Sequence, residues 1–179
     1  MASQACLFFV ALLMAGMWYG GHAQGQSQER ERELLGLSIN LNLGFDICRK
    51  ADYPAMCRSV VKGLNNPRVA FEAAVRQLMF QTSRAKSVAQ RNKDKSSAME
   101  VCFEVYDDAY SNLETGLSNL KSHDKSSLNV DLSAVLTDYV TCDDAINEEG
   151  ITSPVTRTNA ILSQMASNCL YFSSLIHLR

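Results

Sequence analysis

Apolar residues recur at intervals of three and four along most of this chain. Phe71, Val75, Leu78, Thr82 and Ala85 make one stripe, and Cys102, Tyr106, Ala109, Leu113, Leu117 and Leu120 make a second. Leu128, Leu132, Val135, Tyr139, Cys142 and Ile146 make a third, and Leu162, Met165, Cys169, Phe172 and Ile176 a fourth. Such spacing puts each set on one face of an α-helix. β-Branched residues never alternate with polar ones over a useful length, so no strand is predicted. The punctuation agrees. Asn66-Pro67 and Ser153-Pro154 each set a capping side chain before a proline. Ser97-x-x-Glu100 has the form of a capping box, and Gly63 and Gly150 fall where helices should stop. Four long amphipathic helices with short polar joints predict an all-α fold, an antiparallel four-helix bundle.

Upstream, about Leu34 to Lys62 reads as one or two small helices bent near Asp52-Tyr53-Pro54. Cys48 and Cys57 have eight residues between them, so a bridge joining them requires a hairpin. Closing that loop contributes roughly 3 kcal/mol in the chain-entropy description. The first 23 residues carry no Asp, Glu, Lys or Arg, and Cys6 to Met14 is an apolar run continued loosely to Trp18. Gly21-His22-Ala23 then supplies small residues before an abrupt polar change at Gln24. We read residues 1–23 as a secretory signal peptide, although its start carries no basic side chain, and 24–179 as the mature domain. The apolar run is too short for a comfortable membrane span, and no later segment is apolar enough for one.

Removing the leader takes Cys6 and leaves Cys48, Cys57, Cys102, Cys142 and Cys169. An odd count in an oxidising compartment implies two bridges and one free thiol. Spacing leaves the pairing open, since four cysteines allow three connectivities. Cys102 and Cys142 lie on the stripes of adjacent helices, where a bridge across a loop of roughly 41 residues would contribute roughly 4 kcal/mol. Cys169, on the fourth stripe, reads as a small core residue. No Asn-x-Ser/Thr sequon occurs in the mature part.

Composition narrows the function classes. Seventeen basic residues against nineteen acidic ones leave no excess with which to neutralise nucleic-acid phosphates. The mature part has two histidines, His123 in a polar joint and His177 near the C-terminus, neither at metal-ligand or triad spacing. Asp107-Asp108, Asp143-Asp144 and Glu148-Glu149 are acidic patches without the glycine pattern of a calcium loop. No serine has a nucleophile-elbow context, and no glycine-rich phosphate loop occurs. The chain reads as a non-enzyme with no cofactor and no metal.

Four segments carry a resemblance. They are Ile47-Cys48 to Cys57 with Tyr53-Pro54 between, Cys102-Phe-Glu-Val-Tyr106-Asp-Asp-Ala109, Leu132 to Asp138 running into Thr141-Cys142-Asp143-Asp144, and Ser153-Pro154-Val155-Thr156 with Asn159. In this order and spacing they resemble the plant invertase and pectin methylesterase inhibitors. The resemblance implies a four-helix bundle with an N-terminal helical hairpin and disulfides Cys48–Cys57 and Cys102–Cys142, leaving Cys169 free. It implies secretion to the apoplast and cell wall, with the vacuole as the other destination. The implied mechanism is occlusion, in which a rigid bundle blocks the substrate cleft of a pectin methylesterase or acid invertase in a one-to-one complex. Invertase inhibitors of the family often carry Pro-Lys-Phe before the Ser-Ala helix. Here the joint reads His123-Asp124-Lys125-Ser126-Ser127 and keeps only the lysine. The Ser153-Pro154-Val155-Thr156 turn, in contrast, looks like the branch named for invertase inhibition, so both targets stay open. Candidate contacts are the exposed groups Lys125, Asp138 and Asp143. The competing class is a non-inhibitory secreted module, for signalling or storage, on the same scaffold.

Overall fold

A computed structural model describes residues 46–177, and every regular element among them is helical. A short helix α1 spans Pro54–Val61, and α2 spans Pro67–Gln90. After a 3-10 turn at Lys93–Lys95 come α3 (Ser97–Lys121), α4 (Lys125–Glu149) and α5 (Thr156–Leu175). The signal peptide expected over 1–23 and the part of the hairpin expected between Leu34 and Phe45 lie outside the described residues.

Local side-chain chemistry sets most of the helix ends. Asn66 Oδ1 accepts from the amides of Arg68 at 3.0 Å and Val69 at 3.2 Å, and Pro67 fills the first helical position. Asp124 Oδ1 accepts from Ser127 N at 3.0 Å and starts α4, while Gly150, at φ 68°, closes it. Two expected caps are corrected. Ser97 with Glu100 does not form the capping box of α3. Ser96 is the cap, and the carboxylate comes from Glu149 at the far end of α4. Its Oε2 accepts from Ala98 N at 2.6 Å, Ser96 Oγ at 2.9 Å and Ser97 Oγ at 3.1 Å. With Ser96 at the cap, the third helical position is Met99, so Glu100 falls one residue past the place from which a capping-box carboxylate reaches back. Ser153-Pro154 is likewise not the start of α5. Ser153 Oγ accepts from Val155 N at 3.2 Å in a local turn, and the helix begins two residues past the proline.

Sequential helices are neighbours, and α5 closes the bundle by packing on both α2 and α4. The four stripes meet at the centre, where Phe71, Leu78, Leu113, Leu132, Val135, Leu162 and Phe172 are buried. Leu117 sits at the margin, half-buried. Cys102 and Cys142 are bridged, tying α3 to α4, and Cys169 is a buried free thiol. Cys48 and Cys57 are bridged, folding the turn at 47–50 back on α1. This N-terminal unit is then moored to α5. The Asn168 amide accepts from Tyr53 N and donates to Tyr53 O, both at 3.1 Å, and the Tyr171 hydroxyl donates to Ile47 O at 2.7 Å.

Replacing both Cys102 and Cys142 by Ala should lower the melting temperature through a loss of about 4 kcal/mol, with helical circular dichroism retained. An unchanged melt would show that this bridge does not form. The Glu149 carboxyl is held below its ordinary range by the amide of Ala98 and then by the two serine hydroxyls. A depressed carboxyl contributes stability above its unfolded value and loses it as pH falls through its folded value. Glu149→Gln should therefore melt earlier than the parent at neutral pH, the gap narrowing below about pH 4.

Candidate functional site

Beside the Cys102–Cys142 bridge that ties α3 to α4, a buried polar network links all four bundle helices. Thr82 on α2 donates its one hydroxyl proton to Leu78 O at 2.9 Å. The Tyr139 phenol of α4, 2.6 Å from Thr82 Oγ1, must therefore be the donor in that contact. Asn159 of α5 donates to Tyr139 O at 2.6 Å and accepts from the Tyr106 hydroxyl of α3 at 2.9 Å. The Tyr106 oxygen also lies 3.4 Å from Cys142 Sγ. All four bundle helices contribute, and among the described residues no buried side-chain nitrogen or oxygen lacks a partner. Burial holds both phenols protonated, with the nearby Asp143 charge adding to the effect at Tyr106. Burial also pushes the Cys169 thiol up to about 12, which removes it as a nucleophile.

Outside this core, amide–carboxylate contacts continue the α3–α4 seam. Asn119 Nδ2 donates to Asp131 Oδ2 at 2.7 Å, and Asn112 Nδ2 donates to Asp138 Oδ2 at 3.2 Å. The outer surface of α4 has little charge of its own over several turns. Val130 is 66% exposed and Val140 47%, with Ser133, Thr137 and Thr141 exposed beside them. Carboxylates border that strip: Asp144 closes its C-terminal end, Asp131 and Asp138 on α4 with Glu104 and Asp108 on α3 lie on the α3 side, and Asp143 lies on the other, while Glu114 shares the α2-facing side of α3 with Asp107. Among the described residues, none of these seven has a cationic group within 4.0 Å; Asp107, paired with Lys86, is the acid of α3 that does. The pair therefore presents a rigid, uncompensated negative surface around an uncharged strip.

The three candidate contacts do not come together. Lys125 begins α4, and its Nζ donates to Ile176 O at 2.8 Å, clamping the end of α5. Asp138 stands 13 residues further along, about 20 Å by helical rise. Asp138 and Asp143 are both half-buried on α4. Burial pushes the Asp138 carboxyl up, the Asn112 hydrogen bond opposes this, and the Asp108 charge adds to it. Sequence reading missed the Glu149 cap and the Asn168 mooring. Asn168 had a detectable signal, a polar side chain beside the apolar stripe of α5, whereas Glu149 reaches a helix start 51 residues away. Among the described residues no three His, Cys, Asp or Glu side chains cluster as a metal site would require, and no helix is long and apolar enough to cross a membrane.

Comparisons with known proteins extend the picture. A family model described as plant invertase/pectin methylesterase inhibitor matches residues 45–172. Pectinesterase inhibitor 12 of Arabidopsis thaliana is 36% identical over 87 residues, covering 49% of this chain and 50% of its own length. A Platanus orientalis protein whose name carries an invertase-inhibitor designation is 40% identical over 76 residues, covering 42% and 45%. The chain spans about half the length of the curated relatives it matches. The crystal structure of a mutant form of an Arabidopsis pectin methylesterase inhibitor superposes with a TM-score of 0.67 at 20% identity, covering 74% of this chain and 96% of that one. At that identity it establishes the fold alone.

Asp138 yields the prediction for this surface. A carboxyl raised by folding is disfavoured as an anion, so its ionisation costs stability as pH rises, and the full cost is present at neutral pH. Asp138→Asn, which keeps an acceptor for Asn112, should raise the melting temperature at pH 7 and have no effect near pH 3. A lower melt at pH 7 would show that the buried charge is compensated.

Proposed function

This chain belongs to the plant invertase/pectin methylesterase inhibitor family, a family of inhibitors rather than enzymes, and from that premise we propose that it occludes the substrate cleft of a plant pectin methylesterase or acid invertase in a one-to-one complex. The observation that carries the reading is the outer surface of α3 and α4. An uncharged strip containing Val130 and Val140 is bordered by carboxylates without cationic partners. Such a surface can bury apolar area at its centre while its rim meets basic groups on the target, the arrangement that gives an interface both affinity and orientation. Rigidity favours the same reading. A helix pair cross-linked by Cys102–Cys142 loses little conformational freedom on docking. Lys125, tied to the end of α5, supports the scaffold in this proposal, while Asp138 and Asp143 border the docking strip. Secretion through a leader at residues 1–23 would deliver the chain to the apoplast and cell wall.

The purified mature chain, titrated into plant pectin methylesterases and acid invertases between about pH 4 and 7, should abolish one of the two activities at a one-to-one ratio. Val130→Arg with Val140→Arg should raise the inhibition constant at least tenfold and leave melting unchanged. Inhibition of neither class of enzyme would favour the non-inhibitory secreted module.

A further inference from the structure

Along α2 and onto its C-cap, away from the α3–α4 surface, Phe80, Arg84, Ser87 and Arg91 step by four, three and four residues and so share one stripe. Phe80 is 56% exposed, and the Arg84 guanidinium lies 5.8 Å from its ring centroid. Beside this stripe, between α2 and the first turn of α5, is a cavity of about 340 Å³. Its lining includes Gln81, Arg84, Ser87, Val88, Arg91 and Thr158. Among the described residues neither Arg84 nor Arg91 has a carboxylate within 4.0 Å. The one acid of α2, Glu72, is taken up by Arg68 and Arg76.

We infer that this cavity and stripe form a binding site for an acidic oligosaccharide, a chain of sugar rings bearing carboxylate or sulfate groups. Each part of such a ligand meets a matching group. Guanidinium forks pair with oxyanions in a way lysine does not. An exposed phenyl ring offers a flat apolar face to the C–H side of a pyranose. Gln81, Ser87 and Thr158 supply uncharged polar groups for ring hydroxyls. Arg84 and Arg91 are two helical turns apart, about 10.5 Å along the axis. That distance calls for acidic groups on separate rings rather than one small anion. Nucleic acid fits less well, because the basic strip is one helix wide and the chain as a whole is acidic, with a formal charge of −2. The inference goes beyond the proposed inhibition and does not depend on it.

Calorimetric titration of the full mature chain tests it with five probes: a galacturonate hexamer, its fully methyl-esterified form, a sulfated oligosaccharide of similar length, inorganic phosphate and a single-stranded oligonucleotide of equal charge. Binding of the galacturonate or the sulfated chain, weakened at least tenfold by Arg84→Gln with Arg91→Gln and severalfold by Phe80→Leu, supports the site. The two acidic sugars distinguish carboxylate from sulfate. Methyl-esterified hexamer should bind at least tenfold more weakly than the free acid. Equal binding of the ester, of phosphate or of the oligonucleotide would overturn the inference, as would indifference to the double substitution. If the Gln variant melts early, Phe80→Leu and Arg84→Lys with Arg91→Lys carry the test: the first should weaken sugar binding, and the second should leave it closer to the parent than Gln would. Wild-type affinity in Phe80→Leu would overturn it too.

Discussion

The hydrogen bond from Tyr106 to Asn159 sits where the constraints on this bundle converge. The Tyr106 ring is buried between helices, and its oxygen lies against the Cys102–Cys142 bridge. Asn159 relays the contact to the backbone of Tyr139, whose own hydroxyl reaches Thr82. An apolar four-helix core tolerates rotation or sliding of one helix at modest cost. A buried donor left unpaired costs about 1–3 kcal/mol, so this network accepts one register and penalises the others. The disulfide acts in the same direction by limiting the unfolded chain.

That internal constraint frees the surface. Because register is set from within, the outside of α3 and α4 can carry carboxylates with no cationic partners and two exposed valines, features that bring the isolated chain no stability. Asp138 illustrates the cost, since folding disfavours its ionised form. Charge is also segregated between helices. α3 and α4 are rich in acid, while Arg84, Arg91 and Lys93 follow one another along α2 and the turn after it. The molecule therefore offers two chemically different surfaces on one rigid body, and we assign them different partners.

Much of the fold was legible in the sequence because burial in a bundle follows helical periodicity. Phe71 to Ala85, Leu128 to Ile146 and Leu162 to Ile176 stepped through the sequence in threes and fours and are buried as that spacing requires. The Asn66-Pro67 start was equally readable, since the cap and its amides lie within three residues. Contacts made across the chain were not. Glu149 caps α3 in place of Glu100, and Asn168 grips Tyr53, because tertiary packing brought those groups closer than their sequence neighbours. Lys125 looked exposed from its polar joint, yet the end of α5 comes within reach of its ammonium. The exposed strip was legible but went unread: the stripe from Leu128 to Ile146 already leaves Val130 and Val140 on the opposite face of α4.

Hydrogen exchange of the mature chain, measured free and saturated with whichever enzyme it inhibits, tests the central claim most directly. The account predicts added amide protection in α3 and α4, strongest around Val130 to Asp144, with residues Phe80 to Arg91 unchanged. Protection confined to α1 and α2, with the α3–α4 surface as accessible in the complex as in the free chain, would contradict it.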